Sequence, residues 1–572
     1  MLVFDYLAEL TMSLLQRARS KNPQAGYAGD FIDAVSPHLA QIAQRKIKLL
    51  SNAGGMNPQA CADALQKAAA AANVKLRIAV VLGDDLMAMK DEVMAAGTTE
   101  MSSGAPFPAK VASMNAYLGA LPIVEALRMG ADVVITGRCV DSAVTLAALI
   151  HHFNWPETDY DLLAAGSLVG HILECSTQAT GGLHTDWWHV AQGWDNMGFP
   201  VAQCDADGSF VLCKPPGTGG WITPASVTEQ MLYEVGDPGR YVLPDVVCDL
   251  TGVTMTQAGD NQVRIRGARG SAPTGTYKVS ATAANGFRLS STLTVVGDQA
   301  VQRADQMGKA IFSRTRKMIM AAGHGDYTDT LAEVLGSEGP SYGANARALA
   351  SREVVLRIAA QHPVAAALDV LARELAPFGV SGPAGTTGFS GRPRPQPVFS
   401  LFSFLWPKQK VPVSIGLDGH TLSASIPVPT DTGAPAAQPD LYTHQALPDG
   451  DRITVPLSAL AVARSGDKGD MANIAVIARH PKFLPAIAQD LSTQAVRDHF
   501  AHLVSGRVTR FDVPGVHAFN FLLEQALAGG GASSLRNDAL GKSFAQILLS
   551  HPIRIPAAWR DDIEPGYLGS AS

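Results

Sequence analysis

Asp132–His152 reads DVVITGRCVDSAVTLAALIHH, and this run decides the fold class. Val133, Val134 and Ile135 are β-branched or aliphatic on successive positions, the pattern of a strand buried on both faces. Gly137-Arg138-Cys139-Val140-Asp141 breaks it, and Ser142 to His152 has helical spacing. The same order of strand, polar loop and helix recurs upstream. Lys46 to Leu50 is a strand candidate with the loop Ser51-Asn52-Ala53-Gly54-Gly55-Met56-Asn57. Pro58 suits the first position of the next helix, and Asn57 suits its cap. Leu76 to Leu82 (LRIAVVL) ends in Gly83-Asp84-Asp85, and Leu2 to Phe4 ends at Asp5. Leu7 to Arg17, Phe31 to Arg45, Ala60 to Ala72 and Ala116 to Met129 have helical spacing. Repeated units of this kind predict a largely parallel sheet, doubly wound by helices.

Ligands of open α/β sheets sit outside the carboxyl ends of the strands. Asp5, Asn52, Gly54, Gly55, Asp84, Arg138 and Asp141 are therefore expected on one rim. Arg138 is read as a clamp for a carboxylate or phosphate, and Asp141 as a helix cap.

Beyond Val227 the pattern changes. Val246 to Val296 alternates between turns, which predicts an antiparallel layer added to the core. Ala304 to Ala322 and Ser351 to Leu375 are read as helices. Residues 377–451 hold GRPRPQP and DTGAPAAQPD, a composition typical of linkers, with the apolar FSLFSFLWP (399–407) between them. The tail 452–560 gives LSALAVAR as a strand, SGDKGD as a loop, Asn473 to Ala478 as a strand and Phe483 to Leu503 as a helix. Arg507 to Val513 follows as a strand, with Val516 to Leu527 and Leu540 to Leu549 as helices. The expected fold class is thus α/β with an added antiparallel layer (1–376), a linker (377–451) and a small α+β, ferredoxin-like domain (452–560).

Composition narrows the function. Of 572 residues, 47% are hydrophobic and 17% charged, so large cores are available. The net charge of −6 leaves no basic footprint for nucleic acid. No apolar run nears the ~20 residues of a spanning helix, and no basic region precedes an apolar one at the start. Six cysteines without a CxxC pair fit a reducing, cytoplasmic setting.

The stretch Gly166–Gly220 gathers the remaining chemistry. His171 and Glu174 share a helix face and are candidate catalytic groups. Two ligands do not make a metal site, so no metal is assigned. Lys214 is a third candidate, at the head of Lys214-Pro215-Pro216-Gly217-Thr218-Gly219-Gly220. That turn reads either as an anion nest or as a tight turn; it is no P-loop. Arg464 and Lys468, in Arg464–Asp470, read either as ligand groups reaching the rim from the tail or as a solvated loop.

These motifs together resemble the acyclic terpene utilisation family of bacterial citronellol and geraniol catabolism. The resemblance rests on VFDYLAELTMSLL, TGRCVDSAV, GHILECSTQATGG, GFPVAQCDADGSFVLCKPPGTGG, LYEVGDPGRYVLPDV and YKVSATAANGFR. In the tail it rests on ARSGDKGDMANIAVIAR and ALAGGGASSLRNDALGK. It implies a place in terpenoid breakdown and names neither a reaction nor a cofactor. Relatives carry a strand and glycine-rich loop before the VFD segment, so an upstream element is expected. Two function classes follow: an enzyme or enzyme subunit acting on a branched acyl or acyl-CoA intermediate, or a non-catalytic ligand-binding or scaffolding partner. The expected partner is a small acid or acyl-CoA, with neither nucleic acid nor membrane involved, in a homo-oligomer.

Overall fold

The computed structural model describes residues 1–389, 391–427, 440–531 and 533–567. Strands β1 (Leu2–Phe4), β2 (Leu49–Ser51), β3 (Ile78–Leu82), β4 (Ser113–Ala116) and β5 (Val133–Thr136) carry the loops of interest. Four of them form a parallel sheet in the order β1–β2–β5–β3. Period-two alternation splits their side chains between two cores. Leu49, Val80, Val133 and Ile135 pack with Phe31, Leu39 and Leu65 of the helices on one face. Leu50, Ala79, Val81 and Val134 pack with Ile123, Val124 and Leu146 on the other. The doubly wound expectation holds. Asn57 does cap Pro58–Ala71, accepting from Ala60 N.

The segment expected as a helix over 116–129 is split. Ala116 ends β4, and the helix runs Leu121–Arg128. β4 leaves the parallel sheet to pair with Thr276–Val296, a strand of 21 residues. That strand organises the antiparallel layer, pairing also with Glu353–His362 and Gln396–Pro407. Further readings are corrected here. Ser351 to Leu375 is not one helix: Glu353–His362 is a strand, and only Ala365–Glu374 is helical. Val354, Leu356, Ile358 and Ala360 alternate into the core beneath Ala300–Ala321, and Pro363 ends the strand.

Another correction concerns the linker. Gln396–Pro407 contains FSLFSFLWP, and its side chains Phe402, Phe404 and Trp406 enter the main core. Ser414–Leu417 then pairs antiparallel with β3, and His420–Ser423 forms the outer edge. Of the run 431–440, only Asp440 lies within the described residues.

In the tail a four-stranded antiparallel sheet has the order Ala461–Lys468, Met471–Ala478, Ala518–Leu523, Val508–Val513. Val516 to Leu527, expected as a helix, is mostly the third of these strands. SGDKGD is a hairpin with only Gly469-Asp470 at its turn, so Arg464 lies within a strand. The helix expected over 483–503 is two, Leu484–Asp490 and Thr493–His499, because Ser492 caps the second.

Candidate functional site

The strand ends meet as their sequence implies. β2 and β5 are neighbours, so the loops that carry Asn52 and Arg138 leave adjacent strands on one rim. Asn52 Nδ2 donates to Asp5 Oδ1 at 2.7 Å, and Asn52 Oδ1 accepts from Tyr6 N at 2.8 Å. One amide thereby fixes the Asp5 carboxylate after β1. Asp84 accepts from Arg138 N at 2.8 Å and from Asn115 Nδ2 at 2.9 Å. The Arg138 side chain, 4% exposed, lies 4.2 Å from the centre of the Tyr117 ring. Its Nη1 donates to Leu7 O at 2.5 Å, and Nη2 is 3.2 Å from Asp141 Oδ1.

Glu174 arrives from another direction, at the end of the helix Tyr160–Glu174. Gly170 lets that helix press on the start of the preceding one, Ala143–Phe153: a Cβ there would stand 2.7 Å from Ser142 Cα. Glu174, one turn on, then meets Asp141. Asp5, Asp141 and Glu174 each offer an oxygen within 4.8 Å of the other two. Such an oxygen-only set suits a hard cation, although Arg138 already supplies one fixed positive charge beside it.

This crowding shows in the proton affinities. Burial, then repulsion from Asp141, pushes the Asp5 carboxyl up to about 6 against the pull of Arg138. Burial, then Asp141 and Asp5, drives Glu174 well above the usual carboxylate range. Burial opposes the Arg138 charge, yet Tyr117, Asp141 and Asp5 together raise its pKa. Burial also raises the Cys175 thiol, which donates to Glu174 Oε1 at 3.0 Å, so no thiolate nucleophile forms there.

Other candidates part company with this cluster. His171 Nε2 is bonded to Met231 O at 2.9 Å, and burial lowers its pKa; it is a core histidine and does not act with Glu174. Lys214 Nζ donates to Thr218 O at 2.6 Å, and Thr218 Oγ1 to Pro215 O at 2.6 Å, so the turn closes on itself. Gly219 is pressed onto Gly193, where a Cβ would lie 2.1 Å from its oxygen, and Gly220 onto Thr180; Gly217 alone of the three faces open space. Gly54 and Gly55 are likewise packing positions: a Cβ on Gly54 would sit 2.5 Å from Thr136 O, and one on Gly55 2.4 Å from Leu15 Cδ1.

Arg464 is an anchor. It donates to Gln178 Oε1, Gly182 O and Glu229 Oε2 at 2.6, 2.9 and 3.2 Å. Glu229 also bonds His184 Nδ1 at 2.9 Å, and all three side chains are buried. Lys468, at the hairpin end, lies 4.0 Å from Glu234 and within electrostatic reach of His171 and Tyr241. The tail hairpin therefore borders the region around Glu174 through Lys468 and not through Arg464.

Asp141 was readable in part. Its i,i+3 spacing from Arg138 is an ion-pair signal, but a cap was the simpler reading. The cap position belongs to Ser142, with no side-chain cap bond.

No helix among the described residues is long and apolar enough to cross a membrane. A family model described as acyclic terpene utilisation family protein AtuA matches residues 1–417. A second, the AtuA ferredoxin-like domain, matches residues 455–554. No curated protein matches the chain.

Proposed function

The chain belongs to the acyclic terpene utilisation family, and from that premise we propose that it is an enzyme, or enzyme subunit, transferring protons on a branched acyl or acyl-CoA intermediate of acyclic terpene breakdown. One observation carries this reading. Two carboxyl groups of raised proton affinity, Asp5 and Glu174, face each other beside the fixed guanidinium of Arg138. A group titrating near 6 is matched to general acid–base work around neutrality. Asp5 serves as the base and Glu174, whose burial favours its protonated form, as the acid. Arg138 orients Asp141 and balances the charge that remains.

The test uses the full chain and a branched acyl-CoA in deuterated water, with solvent exchange at the acyl α-carbon read by mass spectrometry. Exchange is expected to rise with pH through about 6 as Asp5 ionises, and to fall again where Glu174 loses its proton. Asp5→Asn and Glu174→Gln should each slow it by about a hundredfold or more. Tight binding of the acyl-CoA with no exchange at any pH supports the non-catalytic class instead.

A further inference from the structure

Arg138 borders a second feature besides the carboxylates. A small cavity of about 10 Å³ lies against it, walled by Met12 and Leu401 on its apolar side. Its other polar linings are engaged. Ser113 and Thr282 share a hydrogen bond of 2.7 Å, Asn115 donates to Asp84, and Ser280 and Ser403 hydroxyls meet at 3.2 Å. The Arg138 Nε–H, by contrast, is buried without an acceptor. A buried donor left unmade is costly, and native proteins rarely leave one so.

We propose that this cavity receives one neutral acceptor oxygen, the carbonyl oxygen of an acyl thioester, and that the site rejects the corresponding free acid. Two observations fix the class. The volume is room for one water-sized group, which suits one oxygen atom and not the two of a carboxylate. The neighbourhood already holds Asp5 and Asp141 against Arg138, so a further carboxylate would meet repulsion. A carbonyl oxygen instead satisfies Nε–H and is polarised by it, while Met12 offers a pliable wall to the branched chain. The inference rests on the acyl reading of the site and goes beyond it by separating thioester from acid.

Calorimetry on the full chain tests it with three probes sharing one ten-carbon branched tail. They are the S-acyl pantetheine, its S-alkyl analogue lacking only the carbonyl oxygen, and the free acid. The S-acyl probe should bind about tenfold or more tighter than the S-alkyl one, and tighter than the acid by a similar factor. Ser280→Val, which fills the cavity and loses only the bond to Ser403, should close the gap between acyl and alkyl probes. Arg138→Gln should close it too; near-ultraviolet circular dichroism reports whether either variant keeps its packing. Equal affinities for acyl and alkyl probes, tighter binding of the acid, a gap that survives in folded Ser280→Val, or no binding by any probe overturns the proposal. α-Proton exchange that depends on Asp5, found alongside equal acyl and alkyl affinities, leaves the enzyme reading standing while this one falls.

Discussion

At the scale of single residues, Asp5 ties the site to stability. Its carboxyl holds a proton more tightly in the folded chain than the ordinary value of 3.8, up to about 6. A folded state that binds a proton more tightly is favoured when that proton is present. The contribution is complete below about pH 4 and is lost as pH rises through 6; above that, the buried charge opposes folding. Asp5→Asn removes the charge and keeps an oxygen for Leu7 N and Asn52. Urea denaturation should find the variant more stable than the parent by about 1–3 kcal/mol near pH 7.5, with the gap vanishing near pH 4. A gap of equal size at both values would show that the carboxyl is not what titrates. The residue types at the rim were legible because strand, loop and helix punctuate them. Their mutual distances were not, since Glu174 reaches Asp141 only through a helix packing that no spacing rule encodes.

Among elements, the helix Tyr160–Glu174 matters for where its end falls. Gly170→Val would drive a side chain into the Ser142 backbone. Overpacking of this kind costs about 1–3 kcal/mol, and the helix can relieve it only by moving away from Asp141. The variant should therefore lose proton-exchange activity by a larger factor than Gly166→Ala, whose contacts are the movable side chains of Leu146, Trp155 and Leu149. Exchange rates and melting temperatures measured on both variants decide the point. Elements were readable where periodicity was unambiguous, as in β3 and β5. Glu353–His362 and Ala518–Leu523 lie within stretches whose sequence suggests helices, 351–375 and 516–527, because short apolar runs carry no decisive period. Each is a strand because a partner of matching length lies beside it: Thr276–Val296 for the one, Met471–Ala478 for the other.

For the molecule as a whole, the tail is bound by buried charge. Arg464 and Glu229 neutralise each other across the two regions, and His184 meets the same Glu229 oxygen. Asn473 and Asn520 add bonds to the backbone at Leu232, Val235 and Gly236, and Arg479 forks onto Asp186 at 2.6 and 2.8 Å. Arg464→Ala leaves Glu229 buried with less compensation and should cost about 3–5 kcal/mol. Adding Glu229→Gln should recover part of that loss in chemical denaturation. A loss in the double variant equal to the sum of the losses in Arg464→Ala and Glu229→Gln alone would mean that the pair carries no coupling. From sequence alone the Arg464–Asp470 charges read as ligand groups or as a solvated loop, whereas Arg464 is a buried anchor. What composition concealed was that residues 396–423 belong to the sheets, because Pro and Gly content describes a chain's turns and not its strands.

The strand Ser414–Leu417 lies against β3, more than three hundred residues earlier in the chain. A ribosome makes the sheet's first strands long before it makes the strand that covers their edge. Until then, the β3 edge stands open in the nascent chain, with Val80 and Val81 bordering it. Closure of so distant a pairing is slow, and unpaired edges of incomplete domains invite other chains to add to them. Synthesis of this protein thus has a vulnerable interval set by topology, and a holding chaperone serves best between the appearance of β3 and the emergence of residue 417.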